Sequence, residues 1–413
     1  MIKKSNFINS LIVLCLVSIY FLLSNSLLAE DDIFIVEDKN KLTPIKLKDE
    51  EKEQKIKVDF SYNTFNDGSN NNELSWKPRW MTHGVASLAL IGSTIIDNQI
   101  IFVEKAGKIN GPQGALIITY DYTENSFDNI IKLSGYQIKN YKISPESNLL
   151  YATIKPQRCF EQKKDGVIIV DLESGKVLAK SLLDDEKDKV NDLNFCGNNI
   201  FISYYSEYDE IINIEIFDLS LKKKKKFIKT PFIEGLLIPL NDNQIAFLSK
   251  DGGIIIDGKS LNYSKKSKLN FKLTTKIAQG VYSENLEKFL LLTQQGLLLT
   301  INNDSKATKK IIANSVSSEF NYNEDNGFIS FYNGSRRRLF VLNAKESFSS
   351  TALISTKSLK PRSPKGSSIK WSKVISANPI NLLVFTSYGE LYTVEFNKKR
   401  KKGTKKVLFK PIQ

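Results

Sequence analysis

The chain has 413 residues, of which 41% are hydrophobic and 25% charged, and its formal net charge is +14. That balance excludes a disordered or collagen-like chain and is long and apolar enough for a sizeable core. One histidine and three cysteines exclude a zinc centre of clustered Cys and His, and any Ser/His/Asp triad would have to use His83.

The N-terminus reads as a secretory signal peptide over residues 1–29. Lys3 and Lys4 form a positive n-region and Leu11 to Leu23 an apolar core. Small and polar residues then lead to Ala29 before Glu30-Asp31-Asp32. Leu27 leaves cleavage after Ser26 as a second site, and an uncleaved membrane anchor reaching to Leu28 is the alternative reading. No other stretch is apolar enough to cross a membrane. Removal of Lys3 and Lys4 leaves 57 basic residues against 45 acidic, a net charge of +12. A basic exported protein points to anionic partners in the envelope, whether protein, lipid headgroup or polysaccharide, and away from nucleic acid.

Residues 30–78 are polar and charged and read as a flexible leader, with two short β-like islands at Ile33–Val36 and Ile56–Tyr62. Trp76-Lys77-Pro78-Arg79-Trp80 marks the entrance to the folded part, residues 79–413. From there the chain writes one phrase seven times. An Asn-, Asp- or Glu-bearing turn leads into an apolar run, and a second apolar run closes on Asp or Asn. The first runs are Gln99–Lys105, Leu149–Lys155, Asn199–Ser206, Gln244–Ser249, Lys288–Thr293, Gly327–Tyr332 and Ile380–Thr386. The second runs end at Asp121, Asp171, Asp218, Asp257, Asn302, Asn343 and Asn397, a mean period of 46 residues.

A period in the forties built from strands predicts an all-β protein, a β-propeller of seven four-stranded blades. Calling the strands of a blade a to d, the apolar runs are strands b and c. The a–b and c–d turns then share one face, and the b–c and d–a loops share the other. Either N-terminal island could pair with the last blade to close the ring. Blade two, from Ile143 to Leu183, carries DGVIIVDLESGKVLAK, with a D-x-x-S-G-K-V turn over Asp171 to Val177. It resembles the YVTN-type or quinoprotein-like repeats of exported seven-bladed propellers; the other blades keep the rhythm without those letters. The resemblance implies the seven-bladed fold and covers one blade as sequence.

The c–d turns gather lysines on one face. Lys222, Lys223, Lys224, Lys225 and Lys226 belong to blade three, and Lys398, Lys399, Arg400, Lys401 and Lys402, with Lys405 and Lys406, to blade seven. Lys265, Lys266 and Lys268 in blade four and Lys306, Lys309 and Lys310 in blade five add to them. Such a collar would attract polyanions or the surface of an anionic membrane, although a lysine-rich composition also decorates solvated rims. Arg336-Arg337-Arg338 falls on the opposite face. Cys159, in a b–c loop, and Cys196, in an a–b turn, should lie on opposite faces, beyond disulfide reach.

No CxxC, HExxH, GxSxG or P-loop appears. The expectation is therefore a non-catalytic binding propeller without cofactor, presenting its basic face to an anionic partner. The alternative is a lactonase-like hydrolase with an oxygen-ligated divalent metal in the central channel.

Overall fold

A computed structural model of the chain describes residues 46–49, 64–66, 90–107, 113–144, 148–155, 164–264, 267–304, 308–355, 359, 369–396 and 402–409. The signal peptide, both predicted islands, the tryptophan cluster, His83 and Cys159 lie outside the described residues. Among those residues no helix is long and apolar enough to cross a membrane.

Two short strands come first, β1 (Lys46–Asp49) and β2 (Thr64–Asn66). Seven four-stranded antiparallel sheets follow in chain order as the blades of a propeller. Blade one is β3 (Leu90–Ile96), β4 (Gln99–Gly107), β5 (Gln113–Asp121) and β6 (Ser126–Ser134). Blade two is β7 (Gln137–Ser144), β8 (Leu149–Lys155), β9 (Gly166–Asp171) and β10 (Val177–Leu182). Blade three is β11 (Lys189–Cys196), β12 (Asn199–Ser206), β13 (Ile211–Asp218) and β14 (Lys224–Lys229). Blade four is β15 (Leu236–Asn241), β16 (Gln244–Ser249), β17 (Gly252–Asp257) and the two-residue β18 (Lys268–Leu269). Blade five is β19 (Ile277–Ser283), β20 (Lys288–Thr293), β21 (Leu298–Asn302) and β22 (Lys309–Ala313). Blade six is β23 (Asn321–Asn323), β24 (Phe328–Asn333), β25 (Arg338–Asn343) and β26 (Ser349–Ser355). Blade seven is β27 (Ile369–Ala377), β28 (Ile380–Thr386), β29 (Leu391–Phe396) and β30 (Lys402–Phe409).

The predicted b strands coincide with these elements. Five agree at both ends, and β4 runs two residues further. β24 begins one residue late because Gly327 takes φ +71° and closes the preceding turn. The a–b turns use the left-handed conformation where the sequence offers residues that tolerate it, at Asp97, Asn148 and Gly197.

Burial explains the continuous apolar runs. A b or c strand is covered on both faces by neighbouring blades, so β8 and β9 are buried almost throughout. The outer strand is not, and β10 alternates half-buried and exposed residues. The core is divided between blade pairs. Ile101, Val103 and Ile117 of blade one pack with Leu150, Ala152 and Ile168 of blade two. The ring closes where blade one meets blade seven: Ile100, Phe102 and Leu116 pack against Trp371, Leu383 and Phe385. There the rings of Phe102 and Phe385 lie 5.3 Å apart and those of Trp371 and Phe385 5.4 Å. Each fully buried Phe or Leu side chain contributes about 1.5–3 kcal/mol.

The two leading strands flank this junction. β1 adds in parallel to the outer edge of β30, with Lys46 opposite Lys402 and Asp49 opposite Lys405. β2 adds in parallel to β6, with Thr64 opposite Ile130 and Asn66 opposite Lys132. The blades on either side of the junction thereby become five-stranded.

Candidate functional site

Five of the closing residues, Asp121, Asp171, Asp218, Asp257 and Asn343, are turn formers, and Asn397 lies outside the described residues. Oδ1 of Asp121 accepts from the N–H groups of Thr123 (2.7 Å) and Glu124 (2.9 Å). Oδ1 of Asp218 accepts from the N–H groups of Ser220 (3.1 Å) and Lys222 (3.2 Å). Oδ1 of Asp257 accepts from the N–H groups of Lys259 (3.1 Å) and Ser260 (2.6 Å). Asp171 and Asn343 make the same bond to the N–H two residues on, at 3.0 and 3.1 Å. These Asx turns hold the four aspartates below the usual carboxylate range. The leading cause is the hydroxyl of Thr123, Ser174 and Ser220 for Asp121, Asp171 and Asp218, and the N–H of Ser260 for Asp257.

The lysines beyond these turns have separate fates. Lys222 and Lys223 stand exposed in the c–d turn of blade three. Lys224 opens β14 and forms an ion pair with Glu215 of β13, with Asp184 4.0 Å away. Phe217 pairs with Lys224 and Ile216 with Lys226, so Lys225 is the extra residue of a β-bulge. The bulge lets Lys225 Nζ reach across the sheet to Oδ1 of Asn199, at 2.8 Å. Lys226 Nζ crosses to blade four and donates to Oδ1 of Asn262 at 2.6 Å. Amide partners leave the charge of Lys225 and Lys226 uncompensated. Among the described residues no carboxylate lies within ion-pairing distance of Lys222, Lys223, Lys225 or Lys226.

Elsewhere the expected collar is thinner. Lys398, Lys399, Arg400 and Lys401, like Lys265, Lys266 and Lys306, lie outside the described residues. Lys402 begins β30 at the c–d end, opposite the end of β29. Lys309 and Lys310 pair with Ile301 and Thr300 near the same end of blade five. Lys268 belongs to strand rather than turn, opposite Ile254. Lys405 is turned inward: it is 5% exposed, donates to the Leu359 carbonyl at 2.8 Å and lies over the Tyr392 ring. Arg336 and Arg337 are exposed on the b–c side.

Beside the lysine run, a groove of about 1090 Å³ opens on the a–b and c–d face, lined mainly by blades three and four, with Ser144 of blade two and Val281 and Tyr282 of blade five. Its buried lining includes Asn194, Cys196, Leu240 and Gly258, and its exposed lining includes Asn198, Lys225, Asn241, Asp242, Asn243 and Lys259. Phe195 and Tyr282 line it towards the inner strands. Asn199 Nδ2 of blade three donates to the Gly258 carbonyl of blade four (3.1 Å), and within blade four the Gly258 N–H donates to the Asn243 carbonyl (2.6 Å). Cys196 is a free thiol, 2% exposed, 3.5 Å from the Asp242 carbonyl. Burial, then Asp242 and Asp257, push its pKa up to about 11, so it is an inert thiol. Sequence reasoning missed this groove, since single asparagines in an asparagine-rich chain carry no signal of their convergence.

Strand-a residues stitch the ring around the channel. Asp192 of blade three accepts from Asn140 Nδ2 of blade two (2.8 Å) and from the Leu237 N–H of blade four (3.0 Å). Burial raises its pKa, and Lys142 opposes the rise. Lys139 donates to the Val190 carbonyl at 2.6 Å. Gln279 bonds Phe320 through both ends of its amide, at 2.7 and 3.0 Å. These polar groups are committed to joining blades. Among the described residues no three His, Cys, Asp or Glu side chains converge as metal ligands would.

No protein-family model matches the chain, and no curated protein matches it. Among solved structures, the chain is similar to the crystal structure of Kluyvelomyces marxianus Hsv2. The TM-score is 0.49 at 12% identity, over 77% of this chain and 97% of that one. The architecture itself, seven antiparallel blades in a ring, is that of a β-propeller, a fold consistent with a binding or scaffold role.

Proposed function

We propose that the chain is an exported, non-catalytic binding propeller of quinoprotein-like type whose c–d face engages an anionic partner. One observation carries this reading: four lysines of a five-residue run, Lys222, Lys223, Lys225 and Lys226, gather at the c–d end of blade three, among the described residues with no carboxylate in ion-pairing distance of their ammonium groups, and Lys225 lines a groove. Like charges held this close on a rigid sheet repel one another, and a bound anion relieves that repulsion as well as supplying Coulomb attraction. The n-region and apolar core at residues 1–29 support export.

The test is reversal of Lys222, Lys223, Lys225 and Lys226 to Glu, leaving the Lys224–Glu215 pair intact, alone and combined with reversal of Lys398–Lys402. Retention of envelope-fraction components should be lost at low salt, with the thermal midpoint nearly unchanged. Retention that survives both reversals refutes the basic face.

A further inference from the structure

We infer that the groove between blades three and four binds a hydroxyl-rich anionic chain, an acidic polysaccharide. This deepens the basic-face reading above and rests on it. A groove of about 1090 Å³ is at the upper end of small-ligand clefts, with room for several sugar units, and a flat lipid surface cannot reach its buried floor.

Chemistry narrows the choice further. Five asparagines line it: Asn194 and Asn199 spend their amides inside the protein, on Leu237, Phe195, Gly258 and Lys225, while Asn198, Asn241 and Asn243 stand exposed. An exposed amide both donates and accepts, which suits hydroxyl groups that do the same. Asp242 stands among them, exposed. A carboxylate there would repel a ligand charged along its whole length, such as a polyphosphate, yet it accepts readily from sugar hydroxyls. The cations are confined to Lys225 and Lys259, so the ligand needs acidic groups at intervals rather than everywhere. Phe195 and Tyr282, half-buried and packed against Tyr151 and Phe289, add apolar lining beside these polar groups. The lining of Lys225 is fixed by its bulge and by its bond to Asn199, so the cation is held in place before any ligand arrives.

Titration calorimetry on the full chain tests this with an oligogalacturonide as probe. A malto-oligosaccharide of equal length serves as the uncharged control and phosphatidylglycerol vesicles as the lipid control. Asn198→Trp blocks the groove from an exposed turn position. Lys225→Gln with Lys259→Gln removes its charges, and Lys222→Glu with Lys223→Glu changes the same face outside the lining. The oligogalacturonide should bind and the malto-oligosaccharide should bind at least tenfold more weakly. Asn198→Trp should cut the affinity at least tenfold with the thermal midpoint kept, and the glutamine pair should flatten the salt dependence. Binding untouched by Asn198→Trp but abolished by Lys222→Glu with Lys223→Glu overturns the groove and leaves the basic face standing. Binding of vesicles alone does the same. If neither oligogalacturonide nor vesicles bind at low salt, the basic-face reading falls as well.

Discussion

A methyl group on the α-carbon of Gly258 would lie 2.7 Å from Sγ of Cys196, and 3.1 Å from the Asn243 carbonyl oxygen. The c–d turn of blade four is thus pressed against the a–b turn of blade three so tightly that no side chain fits between them. Gly258→Ala should therefore lower stability by roughly 1–3 kcal/mol in urea unfolding, the usual cost of overpacking. Cys196→Ala removes the atom in the way. Made alone it should cost about 1 kcal/mol for the lost packing. Combined with Gly258→Ala it should recover much of the loss, giving a favourable coupling of about 1 kcal/mol or more. Additive losses would mean that the clash is with the Asn243 carbonyl.

The Asx turns make a prediction about acid. Asp121, Asp171, Asp218 and Asp257 all have pKa values lowered by hydrogen bonds in the folded chain. A lowered folded pKa contributes stability that is complete above the unfolded aspartate value of about 3.9 and is lost as pH falls through the folded values. Asn343 shows that an amide can form the same turn without titrating. Replacing all four aspartates by Asn should lower the thermal midpoint at pH 7, because a charged acceptor is the stronger one. It should also flatten the fall in midpoint between about pH 5 and pH 3 relative to the parent. Parallel curves for the two proteins would show that these turns do not couple to acid unfolding.

How far the sequence discloses this molecule depends on whether a feature is local. The b and c strands are covered on both sides, so each leaves a continuous apolar run such as LLYATIK of β8 or GVIIVD of β9, bounded by turn residues. The edge strands leave much less. β1 and β2 join the sheets in parallel through backbone bonds and are written KLKD and TFN, which read as leader. Lys405 reads as part of a basic run, yet its position on β30, with Val394 opposite, turns it into the interior. The groove is least visible of all. Asn198 and Asn243 lie on different blades and meet only because Gly197 and Gly258 let the two turns approach.

Asp192 holds three inner strands together, and removing it should be felt in all of them. Its carboxylate accepts from Asn140 of blade two, its neighbour Leu193 and Leu237 of blade four, while only 3% of the residue is exposed. Asp192→Ala leaves these buried donors without acceptors and should cost about 2–4 kcal/mol. Asp192→Asn keeps one oxygen but turns an NH₂ towards a donor, so it should cost less than Ala without reaching the parent. Amide exchange at Leu237 should quicken in both variants. Unchanged exchange there would place the cost elsewhere in the channel wall.

The junction between blades seven and one differs from the other six in having no chain connection from one blade directly to the next. It is held by the Phe102–Phe385–Trp371 stack and by the polar bonds of Lys370 and Lys373 to the carbonyls of Leu90 and Ile95. β1 and β2 bind the outer edges of the two blades at this junction, so one stretch of chain grips both sides of it. Leu47→Pro with Phe65→Pro removes two backbone donors and should disrupt both added strands while leaving the seven four-stranded sheets whole. Exchange of edge amides in β30 and β6 should then rise at least tenfold. The edges of β14 and β22, which carry no added strand among the described residues, should not change. Global unfolding should begin at the junction, seen as earlier solvent exposure of Trp371, which is 3% exposed in the native ring. If the two prolines leave Trp371 fluorescence and the exchange of β6 and β30 unaltered, the aromatic stack alone closes the ring and the added strands serve another end.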